Sequence, residues 1–333
     1  MADVAIIGAG SWGIALAKVL HTNGNKVTVW SIVEDEITML KEKHEHVQKL
    51  PGVKLPEDME FTTDLESAVS GKAYLILAVP SVFTRSTAKS MAPFVKEGQI
   101  IVCVAKGIEE ETLMPLTDIV EQEIPQAEVA VMCGPSHAEE VGIGLPTTVV
   151  AGAKKRVVAE GIQDIFMNNV FRVYTSPDVL GMELGGSLKN VIALAAGMAD
   201  GLGYGDNTKA ALITRGMFEM NKLAVTMGAK QETLNGLTGI GDLIVTCESK
   251  HSRNRKAGYL IGQGKSMQEA MDEVGMIVEG VYSAKAAIRL AQKYQVELPI
   301  IEQVNKILFE DKKAADALND LMLRDPKTES DAG

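Results

Sequence analysis

The stretch Val4-Ala5-Ile6-Ile7-Gly8-Ala9-Gly10-Ser11-Trp12-Gly13 decides how this chain folds. Four β-prone residues run straight into a G-x-G-x-x-G turn, and Ile14, Ala15, Leu16, Ala17, Val19 and Leu20 follow at helical spacing. Strand, glycine turn and helix in that order form a nucleotide site. Gly8 permits the tight turn, Gly10 lets backbone approach a pyrophosphate, and Gly13 lets the helix pack on the strand with its first amides facing phosphate charge.

Outward from this turn, residues 26–30 make a second strand. A site for NAD commonly ends that strand in an acid for the ribose hydroxyls, whereas Trp30-Ser31-Ile32-Val33 supplies neither an acid nor an arginine. Ser31 and Glu34 read as a capping box for the next helix, so Glu34 is assigned to the cap rather than to ribose. The alternation then continues, with strands at 61–63, 73–79, 99–105, 127–132, 147–151 and 171–175 and helices at 64–69, after Pro80-Ser81, and at 155–167. Lys106 and the turn 134–138 follow strand carboxyl ends, where open α/β sheets collect ligands. Ser136 and Glu139 read as a second capping box.

Beyond Pro177 the pattern changes to helical periodicity at 178–200, 207–227, 266–274, 279–295, 299–310 and 314–323. The expected domains are therefore 1–177 and 178–323, with a polar tail at 324–333. Within the first of these helices Lys189 stands among apolar and small residues, where an ammonium is costly unless paired. The adjacent Gly185-Gly186 pair suggests that another backbone or a ligand comes close. Asp242, in Thr238-Gly239-Ile240-Gly241-Asp242-Leu243, is the same situation with the opposite charge, and the two could be partners. The basic run Lys250-His251-Ser252-Arg253-Asn254-Arg255-Lys256 is either a solvated face or a phosphate site, since arginine can grip phosphate bidentately.

The bulk numbers set limits. The 333 residues carry a net charge of −11, which argues against nonspecific nucleic-acid binding and against anionic membrane surfaces. No uninterrupted apolar run is long enough for membrane insertion and no basic leader precedes the first strand, so a cytoplasmic protein is expected. Cys103, Cys133 and Cys247 read as reduced core thiols, and no cysteine pair joins the histidines to make a metal site. His44 and His46 read as part of an exposed, charged helix end.

Six segments together carry a resemblance. The glycine turn, Val104-Ala105-Lys106-Gly107-Ile108, Gly134-Pro135-Ser136-His137-Ala138-Glu139-Glu140, Gly186-Ser187-Leu188-Lys189-Asn190, Leu237-Thr238-Gly239-Ile240-Gly241-Asp242-Leu243 and His251-Ser252-Arg253-Asn254 occur in this order. The chain thereby resembles the bacterial-type NAD(P)-dependent sn-glycerol-3-phosphate dehydrogenases from about residue 4 to 323. That resemblance implies an α/β Rossmann-type doubly wound N-terminal domain and a mostly α-helical substrate-binding domain. It implies that Gly8, Gly10, Ser11, Trp12, Gly13, Lys106, Ala138 and Arg253 contact NAD(H) or NADP(H), with Ile277 and Glu279 closing over it. By the same resemblance Lys106, Gly134, Ser136, Asp242, Ser252, Arg253 and Asn254 meet the substrate, and Lys189 is the proton acceptor. No metal is implied. The product would feed phospholipid synthesis. Where the family often places a basic residue for the 2′-phosphate of NADP, this chain has Ile32-Val33.

Ketone reduction requires a proton donor beside the oxygen on which charge develops, and Lys189 suits that role. Two alternatives differ in what they require. A β-hydroxyacid or 6-phosphogluconate type dehydrogenase would take a carboxylate, which the cluster Ser252-Arg253-Asn254 favours less than a phosphate ester. A non-catalytic redox-sensing module would need no poised lysine. A helical second domain with much apolar surface makes a homodimer the expected assembly.

Overall fold

Strand and helix alternate as far as residue 176 and helices alone follow, in a computed structural model that describes residues 1–326, 328 and 329. The first part runs β1 (Asp3–Ile7), α1 (Ser11–Thr22), β2 (Lys26–Trp30), α2 (Glu34–Lys43), β3 (Glu60–Thr62), α3 (Leu65–Val69), β4 (Tyr74–Leu77), α4 (Thr84–Met91) and β5 (Ile100–Cys103). It continues through α5 (Leu116–Glu123), β6 (Glu128–Cys133), α6 (Ala138–Gly142), β7 (Thr147–Ala153), α7 (Arg156–Phe166) and β8 (Phe171–Ser176). All eight strands join one sheet in the order β3-β2-β1-β4-β5-β6-β7-β8. The first six follow the 3-2-1-4-5-6 order of a doubly wound dinucleotide-binding sheet. Every pairing is parallel except β6 with β7.

The apolar strand runs are explained by burial on both faces. Along β1, Val4 and Ile6 enter the cluster formed with α1 and α7, while Ala5 and Ile7 enter the opposite cluster with Leu75, Leu77 and Ile101. A one-residue slip would exchange the two faces.

The helical part consists of α8 (Val179–Gly201), α9 (Asp206–Thr226), α10 (Gln231–Leu234), a π-helical turn at Leu237–Gly241, α11 (Asp242–Glu248) and α12 (Arg253–Gly262). Then come α13 (Met267–Val274), α14 (Glu279–Tyr294), α15 (Pro299–Phe309) and α16 (Ala314–Met322). By internal contacts the chain divides into Met1–Lys106 with Met114–Glu183, and Gly107–Leu113 with the chain from Leu184 onward. The division falls within α8. Of the polar tail expected at 324–333, residues 327 and 330–333 lie outside the described residues. By length and composition α8 could cross a bilayer, yet 89% of its apolar window is buried inside the protein, so it is a core helix.

Helices α8 and α12 touch backbone to backbone. A Cβ on Gly197 would stand 2.1 Å from the carbonyl oxygen of Arg255, and one on Gly258 would stand 2.1 Å from that of Leu194. Gly201 and Gly262 repeat the arrangement one turn on, 2.2 Å from Tyr259 O and 2.3 Å from Met198 O. The close approach expected at the glycine pair is real for Gly185, whose added Cβ would lie 2.5 Å from Thr238 O.

Three local readings are corrected. Ser31 caps nothing: α2 begins with Val33 at its N-cap, and the Ser31 hydroxyl donates to Glu36 Oε2 at 2.7 Å. Ser136 likewise spends its hydroxyl on Gly134 O, leaving His137 at the N-cap of α6. His46 is fully buried, its Nδ1 accepting from the Lys49 amide and its Nε2 facing Glu36. The capping box that does form, Ser266 with Glu269, starts α13. All three cysteines are free and buried, and burial pushes the Cys247 thiol up to about 12.

Candidate active site

The glycine turn is built as a cradle. Gly8 adopts φ +119°, and a Cβ there would come within 2.9 Å of the Ala78 backbone. Gly13 packs so closely that its Cβ would meet Gly8 O at 2.1 Å, whereas nothing lies within 4 Å of the corresponding position on Gly10. That open space is what a pyrophosphate needs. Gly10 is the N-cap of α1 and no side chain caps that end, so the first-turn amides carried by Ser11, Trp12 and Gly13 face the same opening. The residues therefore fit a dinucleotide.

Beside it, at the carboxyl ends of β5 and β6, Gly134 O accepts from both Lys106 Nζ (3.1 Å) and Ser136 Oγ (2.9 Å). Gly134 takes φ +147° where an added Cβ would press on Val149 Cα at 3.0 Å, which keeps a side chain out of this corner. Ala138 is the buried first residue of α6. Lys106, Gly134 and Ser136 are thus one cluster.

In the helical part Lys189 is only 4% exposed and Asp242 only 1%. Their side chains meet: Lys189 Nζ donates to Asp242 Oδ1 at 2.6 Å and to Thr246 Oγ1 at 2.6 Å. The Thr246 hydroxyl donates in turn to Asp242 O at 2.6 Å, which leaves its lone pairs toward the ammonium. Asp242 and Thr246 are four residues apart and so share a face of α11. Sequence reasoning missed Thr246, although the i, i+4 spacing after Asp242 was there to be read. Among the described residues no group of three His, Cys, Asp or Glu side chains could hold a metal ion.

The basic run resolves into separate jobs. Ser252 is the N-cap of α12 and accepts from the Arg255 amide at 3.2 Å. Arg255 pairs with Asp200 at 2.6 Å, and Arg253 is exposed at the first position of the helix. Asn254 is buried; its Nδ2 donates to Asn190 Oδ1 at 3.0 Å and its Oδ1 accepts from Gly280 N at 2.8 Å. Asn190 follows Lys189 and Gly280 follows Glu279, so one amide ties together the starts of α12 and α14 and the lysine-bearing turn of α8. Glu279 opens α14 and Ile277 sits half-buried just before it. Asn190 was not anticipated as part of this network.

Two further buried acids escaped the sequence reading. Glu183 Oε2 accepts from the first amide of α5 at 2.9 Å, and Glu219 accepts from Ile300 N (2.7 Å) and Ile301 N (3.2 Å) at the start of α15. Burial raises the Glu183 carboxyl to about 8 and the Glu219 carboxyl to about 7, against the lowering effect of those amides.

Comparison with known proteins bears on this geometry. Residues 3–159 match the family described as NAD-dependent glycerol-3-phosphate dehydrogenase N-terminus, and residues 178–319 match the corresponding C-terminus. A glycerol-3-phosphate dehydrogenase (NAD(P)+) of Agathobacter rectalis is 74% identical over 329 residues, covering 99% of this chain and 98% of that protein. One from Bacillus subtilis is 49% identical, with 97% and 95% covered. Among solved structures, the glycerol-3-phosphate dehydrogenase of Coxiella burnetii superposes with a TM-score of 0.94 at 38% identity, covering 97% of this chain and 99% of that one.

Proposed function

Because the chain belongs to the NAD-dependent glycerol-3-phosphate dehydrogenase family, an oxidoreductase that interconverts dihydroxyacetone phosphate and sn-glycerol 3-phosphate with NAD(P)(H), we propose that Lys189 carries the proton in its reaction. The observation that supports this most directly is the buried ammonium held at 2.6 Å by both Asp242 and Thr246. When bound, the dinucleotide supplies the hydride to C2 of the ketone. Lys189 then gives a proton to the oxygen as negative charge develops there, and takes it back from the hydroxyl in the oxidative direction. Asp242 and Thr246 fix the direction of the Nζ atom, so that little reorientation is needed at the moment of transfer.

Ser252, Arg253 and Asn254, with the first amides of α12, form the phosphate grip in this proposal. Binding energy taken up at the phosphate positions the reacting carbon. Lys106, Gly134 and Ser136 are assigned to substrate, and the Gly8-Gly10-Gly13 cradle with Ser11, Trp12, Lys106, Ala138, Arg253, Ile277 and Glu279 to the dinucleotide. The glycerol 3-phosphate produced is proposed to supply phospholipid synthesis. We also propose a cytoplasmic homodimer. The buried free cysteines suit a reducing compartment, and the exposed Met322 and Leu323 at the end of α16 offer apolar surface, with light scattering as the check on assembly. Oxidation of NADH and NADPH with dihydroxyacetone phosphate, run beside 2-keto acids, tests the assignment. Turnover of the acids in preference to the phosphate ester would defeat it.

A further inference from the structure

Ile32 is 80% exposed and Val33 45% exposed, two aliphatic side chains directly beside a ligand cradle. Their position is set by the sheet. Trp30 pairs with Ile7, and Gly8 N donates to Trp30 O at 2.9 Å, so the end of β2 lies one strand spacing, about 4.8 Å, from the glycine turn. In sheets of this order the ribose of the adenosine half lies over that strand end. The following residues Glu34, Asp35 and Glu36 fill the first turn of α2 with carboxylates.

A hydroxyl and a cation near this tip are both committed. Ser31 Oγ donates to Glu36 Oε2 and accepts from Val33 N at 3.2 Å, and Lys49 is paired with Glu36. Burial by itself would raise the Glu36 carboxyl, but the His46 ring facing it and the hydrogen bonds from Lys49 and Ser31 bring it down to about 2, so its charge persists across the working pH range. A ribose bearing a 2′-phosphate needs an arginine or lysine here and meets aliphatic carbon and the two exposed acids Glu34 and Asp35, Glu36 being already paired. A plain 2′-hydroxyl carries no such requirement, and an adenine face can pack on exposed aliphatic carbon. Resting on the dinucleotide reading given above, we propose that this chain discriminates in favour of NAD(H) over NADP(H), and that Ile32, Val33 and the acidic first turn of α2 are the residues that discriminate.

Calorimetric titration of the full chain with NADH and NADPH, without substrate, tests this at low and high salt. NADH should bind about ten-fold tighter or more, and salt should narrow the gap because it screens like-charge repulsion. Val33→Arg should tighten NADPH about ten-fold while moving NADH less than about three-fold, and Glu34→Gln should tighten NADPH about two-fold. Equal affinities in the wild type, or tighter NADPH, overturn the proposal. So does an unchanged NADPH affinity in Val33→Arg when NADH binding shows the site intact. Absence of binding by either nucleotide overturns the dinucleotide reading as well, whereas a wrong ratio alone leaves that reading standing.

Discussion

Replacing Glu219 by glutamine should change how the stability of the protein depends on pH. Its carboxylate receives the Ile300 and Ile301 amides, the first two that α15 offers, because Pro299 at the first helical position has none. Burial raises its pKa from 4.5 to about 7. The folded protein therefore keeps a proton that the unfolded chain releases. Its contribution is fully present below pH 4.5 and is lost as pH rises through about 7. Across that interval, at ~1.4 kcal/mol per pH unit, the loss comes to about 3 kcal/mol. Glu219→Gln removes the titration but leaves one amide without an acceptor, at a cost of about 1–3 kcal/mol. The variant should be less stable than wild type near pH 5 and equal to it or more stable near pH 8, in denaturant melts read at matched ionic strength. If wild type and variant lose stability in parallel between those limits, the proton is not held at Glu219 and the reasoning is wrong.

Glu183→Gln should flatten the same curve over a range reaching about pH 8, since its carboxyl is raised further; an unaltered slope would contradict that. Lys189→Ala should lower kcat by about 10²–10⁴-fold while the Kd for NADH stays near wild type, and near-normal turnover would eliminate Lys189 as the proton carrier. Arg253→Ala should chiefly raise KM for dihydroxyacetone phosphate, and a fall in kcat alone would place the arginine elsewhere in the cycle. Gly258→Ala, with its methyl 2.1 Å from Leu194 O, should destabilise the protein by at least about 1–3 kcal/mol, visible as a lowered Tm.

What could be read from the sequence was what local pattern determines. Strand β1, the glycine turn and α1 are specified within about twenty residues, and apolar runs locate the buried parallel strands because both faces are covered. The pairing of Lys189 with Asp242 could only be raised as one option, since the contact joins helices 53 residues apart. Readings failed where another nearby acceptor claimed the hydroxyl expected to cap a helix. Ser31 is drawn to Glu36, itself held by Lys49 and His46, and so is lost to the helix start. The stretch from α10 through α12 gave no periodic signal, because its helices are four, seven and ten residues long and a glycine-rich π turn interrupts them. Strand β7 reads like its neighbours, and nothing in its residues announces that it runs against β6.

The crossing of α8 with α12 has a mechanical meaning. Where side chains meet, a displaced neighbour can be accommodated by a change of rotamer, but peptide planes in contact have no such slack. Through Gly197, Gly201, Gly258 and Gly262 the rod bearing Lys189 and the rod whose first turn bears Arg253 and Asn254 are keyed together as one rigid part. On the roles proposed above, amine and phosphate grip thus keep a fixed spacing through turnover, and motion that admits or releases substrate has to come from other segments.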